Sequence, residues 1–170
     1  MKAMNPVLEM PATTALSGAA KKKILLVDDD PAIRLILHRL LAEEGYFVLT
    51  AANGLEALDL SEATEFDIVL LDLNMPVKDG WDTFEQLTGR HPWLPIILIT
   101  ARPNQFFPAL ASGVGALLEK PLDFGQLLDT ISALLQETAE VRLARMAGQP
   151  AKFQYIPSKE ASELRCKRPN

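Results

Sequence analysis

Four apolar runs in this chain stop abruptly at a polar residue, and that pattern constrains the fold more than any other feature. Residues 24–27 run into Asp28, Asp29 and Asp30, and residues 68–71 run into Asp72. Residues 96–99 end in Thr100, and residues 116–118 lead to Lys120. Short β-branched and aliphatic runs separated by helix-length segments predict strands of a parallel sheet covered on both faces. Such sheets gather functional groups at their carboxyl edge. Acids, a hydroxyl and an ammonium are therefore expected to converge there, a set suited to a divalent cation and a phosphoryl group.

The intervening segments supply the helices. Pro31 suits a first helical turn with Asp30 as its cap, and Ile33, Ile36, Leu37, Leu40 and Leu41 form an apolar face at helical spacing. Gly45 ends that helix before a strand over residues 46–51. A helix over 55–63 buries Leu55 and Leu58, the central strand covers 67–71, and Trp81, Phe84 and Leu87 mark a helix ended by Gly89. Between residues 103 and 112 a helix is expected to be shortened or kinked by Pro108. The last clear helix begins near Asp123 and carries Leu127, Leu128, Ile131, Leu134 and Leu135, and the pattern allows it to run on through Val141, Leu143 and Met146. Alternating strands and helices predict an α/β domain with right-handed crossovers.

At 170 residues the chain has room for one well-buried domain. Residues 1–21 read as a flexible leader, 22–137 as the domain, and 138–170 as a helix extension with a basic tail or linker and no second domain. Charge is uneven: residues 22–135 hold 17 acidic and 8 basic side chains, a net of −9, and residues 136–170 a net of +3. The acidic domain would repel a phosphate backbone, and the sparse basic tail lacks aromatic interleaving beyond Phe153 and Tyr155, so nucleic-acid binding is not expected. Cys166 is the single cysteine, which excludes an internal disulfide and a cysteine metal cluster. No signal segment and no uncharged run of membrane-spanning length is present, and a cytoplasmic protein is the simplest reading.

Adjacent carboxylates at 28, 29 and 72 need a compensating charge, and Mg2+ is a hard ion that takes oxygen ligands while retaining waters. Alternation along a strand means that Asp28, Asp29 and Asp30 cannot all face one way, and Asp30 is assigned to the helix cap. Taken with these acids, the strings ILLVDDDP, VLLDLNMPVKDG, LITA and EKP resemble the receiver domain of bacterial response regulators, over about residues 22–137. The resemblance implies a flavodoxin-like, doubly wound sheet of five parallel strands in order 2-1-3-4-5 with helices on both faces. It implies that Asp72 accepts a phosphoryl group from a histidine kinase or a histidine phosphotransfer protein. Asp28, Asp29, Asp72 and the backbone carbonyl of Asn74 are the implied Mg2+ ligands, with Asp28 acting mainly through water. Thr100 is the implied switch hydroxyl and Lys120 the implied partner of the aspartate and then of the phosphoryl group. Pro121 matches a proline preceded by a cis bond, and Met75-Pro76 and Asp79-Gly80 match a loop walling the site.

The pattern departs from the family at two places. Leu117 stands where the family usually has an aromatic residue coupled to the switch threonine, and Pro103, Phe106, Phe107 and Pro108 crowd the fourth helix. The two phenylalanines read either as core or as part of a partner or homodimer surface, since the fourth helix, fifth strand and fifth helix form the family's usual output face. No DNA-binding helix pair, GGDEF-like segment or ATPase motif follows, so a protein–protein output in the manner of stand-alone receivers is expected, unless the chain is a fragment of a longer regulator. Two other readings remain open on sequence. Asp28 and Asp30 form the Asp-x-Asp of haloacid-dehalogenase-like phosphatases, although Ala32 stands where those enzymes carry Thr or Val. A receiver-like binding module that never turns over phosphate is the other.

Overall fold

The computed structural model describes residues 20–76, 79–102, 104–149 and 153–158. Strands β1 (Lys23–Val27), β2 (Phe47–Ala51), β3 (Ile68–Asp72), β4 (Ile96–Thr100), β5 (Ala116–Glu119) and β6 (Gln154–Ile156) alternate with six helices. These are α1 (Pro31–Glu43), α2 (Gly54–Ala63), α3 (Gly80–Arg90), α4 (Phe106–Ser112), α5 (Phe124–Leu135) and α6 (Ala139–Met146). The strands form one sheet in the order β2-β1-β3-β4-β5-β6, every pair parallel. The expected 2-1-3-4-5 order is present, with a sixth strand added beyond β5.

Strand alternation splits the apolar runs into two cores. Ile24, Leu26, Ile68, Leu70, Ile97, Ile99, Ala116 and Leu118 face α1 and α5, where they meet Leu37, Leu41, Leu127, Ile131 and Leu134. Leu25, Val27, Val69, Leu71, Ile96, Leu98 and Leu117 face the other way, against Ala57 and Leu58 of α2, Phe84 and Leu87 of α3, and Ala109 of α4. Burial on both faces is why these strands are continuously apolar. Each fully buried aliphatic side chain contributes about 1.5–3 kcal/mol, so the sheet centre is the rigid part of the molecule. The strand order reverses between β1 and β3, and their carboxyl ends open a crevice there.

Several local readings differ from the structure. On α1 the buried residues are Leu37 and Leu41; Ile36 is 52% exposed, because a helix lying on a sheet covers a stripe narrower than the apolar pattern. Leu55, expected in the core, opens the first turn of α2 and is 54% exposed. Gly89 does not stop α3, which runs on to Arg90. Pro108 lies in the first turn of a seven-residue α4, where its missing N–H has no intrahelical partner to lose. The continuation after α5 is broken: Gln136 caps α5, and Thr138 starts α6 by accepting from the Val141 N–H at 3.3 Å.

Candidate functional site

The carboxyl ends of β1, β3 and β5 bring Asp28, Asp72 and Lys120 together. Lys120 Nζ donates to Asp72 Oδ2 at 2.7 Å and to Asp28 Oδ2 at 2.9 Å. The second oxygen of each acid accepts from backbone: Asp28 Oδ1 from the Asp30 N–H at 2.9 Å, and Asp72 Oδ1 from the Asn74 N–H at 2.8 Å. Both acids are buried, and Asp29, the next residue along the chain, is exposed. One carboxylate oxygen from each of Asp28, Asp29 and Asp72 can lie within 4.8 Å of the others.

At such separations a carboxylate pair repels by about 3–4 kcal/mol at an effective dielectric near 20, and one ammonium does not balance three acids. The residue of negative charge and the all-oxygen donor set fit a hard divalent cation. Among the described residues the Asp29 carboxylate meets no hydrogen-bond donor, which leaves it available as a direct ligand. Burial pushes the Lys120 amine down, yet its bonds to Asp72 and Asp28 and their charges outweigh that and hold it above the ordinary lysine value. The site lysine is thus firmly cationic.

Thr100, at the end of β4, is fully buried; its hydroxyl accepts from the Arg102 N–H at 2.9 Å and lies 3.4 Å from Asn74 Oδ1. The hydroxyl therefore sits on the Asn74 side of the crevice. The Arg102 guanidinium reaches Asp79 at 3.8 Å, across the mouth. The Lys120–Pro121 peptide bond is cis, as the sequence implied.

Asp30 behaves as the cap expected of it, accepting from the N–H groups of Ala32 and Ile33. That engagement removes the second acid of the phosphatase reading from the cluster. Gly80 is required for space, not for an unusual backbone angle: a Cβ there would lie 2.5 Å from the Asp72 carbonyl oxygen and from Leu73 Cα. Met75 is buried beside the site loop, and Asp79 caps α3. Residues 77 and 78 of the loop motif lie outside the described residues.

Sequence reasoning missed Arg34, whose guanidinium holds the Asp28 carbonyl at 2.5 Å from the first turn of α1. A polar residue on an otherwise half-apolar helix facing an acidic strand end was the available signal. It also missed Glu119 and Tyr155, joined at 2.6 Å on the outer side of β5. A cavity of about 550 Å³ lies at the opposite, amino edge of the sheet, around Lys22, Asp67, Arg90 and Pro95. Its lysine and two arginines are already paired, Lys22 with Asp67, Arg90 with Glu62 and Arg142 with Glu137, and its place at the amino edge sets it apart from the acid cluster.

A doubly wound sheet whose switch point holds an acid cluster against a lysine defines a phosphoacceptor module. The chain matches the response regulator receiver domain family over residues 24–132. It is 40% identical over 118 residues to the response regulator MprA of Mycobacterium tuberculosis, covering 68% of this chain and 51% of that protein. The same identity over 118 residues relates it to the transcriptional regulatory protein CpxR of Escherichia coli, at 68% and 50% coverage. The chain thus spans about half the length of the curated relatives it matches. Among solved structures it resembles chemotaxis protein CheY4 of Vibrio cholerae, with TM-score 0.64 and 33% identity over 68% of this chain and 99% of that one. It also resembles the response regulator TrrA of Thermotoga maritima in complex with Mg2+ and BeF, with TM-score 0.62 and 34% identity over 66% and 98%.

The chain belongs to the response regulator receiver domain family. It is a phosphoacceptor module whose chemistry is aspartyl phosphorylation and dephosphorylation, not metabolic turnover, and its acid cluster can coordinate a divalent cation.

Proposed function

We propose that Asp72 is the phosphoryl acceptor of a signalling switch that works with Mg2+ and changes the binding properties of the face formed by α4, β5 and α5. The observation that carries this reading is the shared grip of Lys120 on Asp72 and Asp28, at 2.7 and 2.9 Å. A carboxylate oxygen of Asp72 attacks the phosphorus of a phosphohistidine protonated on its other ring nitrogen; the P–O bond forms as the P–N bond breaks, and the imidazole leaves neutral, keeping that proton. Lys120 then moves its donors to the new phosphoryl oxygens, and the Thr100 hydroxyl turns from Asn74 to a third oxygen. Attack by water on the same phosphorus releases inorganic phosphate and restores the Asp72 carboxylate.

Asp29, Asp72 and the Asn74 carbonyl are the proposed direct ligands. Asp28 is assigned to contact mainly through water, the role that the family resemblance gives its position. When bound, Mg2+ supplies charge neutralisation for the transferring phosphoryl group and offsets repulsion among the acids. A cytoplasmic setting is part of the proposal, in keeping with a single Cys166 that calls for no oxidising compartment.

Incubation with acetyl phosphate and Mg2+, followed by intact-mass measurement, tests this assignment. One phosphoryl adduct that disappears in Asp72→Asn is the expected result. An undiminished adduct in that variant, or an adduct on Asp28, sinks it. A binding module without turnover predicts no adduct at all.

A further inference from the structure

The outer edge of β5 is covered by the chain's own C-terminal segment. β6 pairs with β5 in the register Ala116↔Gln154, Leu117↔Tyr155 and Leu118↔Ile156. Phe153 and Tyr155 pack on the core shared with α3 and α4, and Ile156 on the core shared with α1 and α5. The rings of Tyr155 and Phe153 meet Phe106 edge to face, with centroids 5.0 and 5.8 Å apart. Strand pairing here is slight: β6 has three residues, and the Gln154 N–H reaches the Gly115 carbonyl at 3.5 Å. A strand so short has little stability of its own.

One acid secures the far end. Glu119 accepts from the Tyr155 hydroxyl at 2.6 Å and from the Ser158 N–H at 3.2 Å. Glu119 is also the ladder partner of Thr100, and it immediately precedes Lys120, whose N–H bonds the Thr100 carbonyl at 2.8 Å. The residue that holds the tail is therefore tied by backbone to both groups that must re-pair when Asp72 is phosphorylated.

We propose that the β5 edge is a strand-addition site occupied at rest by the chain's own segment 153–158, and that phosphorylation of Asp72 loosens Glu119's hold and frees that segment. The proposal rests on Asp72 being the phosphoryl acceptor. Hydrogen bonds weaken steeply with misalignment, and the two bonds to Glu119 are aligned for the resting position of the β5 end. Drawing Thr100 and Lys120 toward a phosphoryl group moves that end, and a three-residue strand cannot compensate. By linkage, a phosphoryl mimic that loosens the strand must bind more tightly when the strand is already loose.

Hydrogen–deuterium exchange of the full chain, with and without Mg2+ and beryllofluoride, tests this, with fluorine NMR reporting occupancy of the site. Amides in 154–158 are expected to exchange at least about fivefold faster in the occupied form, while β1, β3 and β4 stay protected. Unchanged or slower exchange at proven occupancy overturns the proposal and leaves the phosphoacceptor reading standing. Absence of any bound fluoride signal overturns that reading and the proposal with it. Gln154→Pro, which removes the N–H that pairs with Gly115, and Tyr155→Phe, which removes a donor to Glu119, are each expected to raise beryllofluoride affinity about fivefold or more. Affinities equal to that of the unaltered chain also overturn the proposal.

Discussion

Lys120 and Asp72, 48 residues apart in sequence, meet at 2.7 Å where β5 and β3 end, and the same amine reaches Asp28 at 2.9 Å. The lysine is the only protein cation bonded to either buried carboxylate among the described residues, so the two acids depend on it. Lys120→Met is expected to lower unfolding free energy by about 2–3 kcal/mol in metal-free buffer, since it strands two carboxylates out of water. Millimolar Mg2+ should restore much of that loss in the variant, by binding the folded form. Urea unfolding with and without Mg2+ measures both effects.

The raised pKa of Lys120 fixes the sign of a pH dependence. A cation whose folded value lies above its unfolded one contributes stability that is fully present below the unfolded value, about 10.4, and is lost as pH rises through the folded value. The stability gap between the unaltered chain and Lys120→Met should therefore be constant through neutral pH. Above about pH 10.4 it should shrink. Urea midpoints at a series of pH values read the gap, and one that widened on the alkaline side would contradict the assigned ion pair.

Neighbouring acids after β1 should separate cleanly by role. Asp29→Asn removes a proposed ligand and is expected to weaken Mg2+ binding at least about tenfold by isothermal titration. Asp30→Asn makes the same charge change but leaves a side chain that caps α1 as well as the acid does. It should leave Mg2+ affinity within about twofold, since a charge outside the ligand set is largely screened by water and salt. Equal losses in the two variants would mean that total charge, not ligand geometry, governs the site.

Two glycines in one helix should respond in opposite directions. Gly80→Ala places a methyl group 2.5 Å from the backbone of Asp72 and Leu73, atoms that cannot move aside without shifting the acceptor. A loss of about 1–3 kcal/mol and a slower rate of phosphoryl labelling are expected. Gly89 lies inside the same helix, and a methyl group added there would have nothing within 4 Å, so Gly89→Ala should stabilise by up to about 1 kcal/mol. Thermal unfolding of the two variants gives both signs.

Legibility in the sequence followed the physics of each signal. The residues of β1, β3 and β4 were readable because burial on both faces leaves an unbroken apolar run, and the polar residue that ends each run marks the crevice. Asp30 was separable from Asp28 because capping needs a short acceptor before a proline-led helix. Ile36 and Leu55 were misjudged because periodicity reports which residues could face a core, and the width of the neighbouring element decides which ones do. Phe106 and Phe107 divide the same way: the first packs on Tyr155 of β6 and on Phe153 just before it, and the second is 76% exposed. β6 gave no usable signal, since three residues offer a single alternation and the partners of Phe153 and Tyr155 lie far away in sequence.

The join between α5 and α6 carries a last prediction. Arg145 is buried, donates to both oxygens of Glu137 at 3.1 and 2.9 Å, and also bonds the Gly113 carbonyl, which ties α6 to the turn after α4. Arg142 adds a bond to Glu137 at 3.2 Å. Burial pushes the Glu137 carboxyl up, but the two guanidinium groups outweigh it and hold the acid below its ordinary value. A depressed acid contributes stability that is present above the unfolded value, about 4.3, and is lost as pH falls through the folded value. Arg145→Met leaves Glu137 buried with a single partner and is expected to cost about 3 kcal/mol at pH 7. As pH falls below about 4.3 the difference from the unaltered chain should narrow, because the residue is protonated first in the unfolded chain and, at lower pH, in the folded pair as well. Chemical unfolding of both proteins at pH 7 and at about pH 3.5 checks the sign, and a difference that stayed the same in acid would show that Arg145 holds α6 through the Gly113 carbonyl alone.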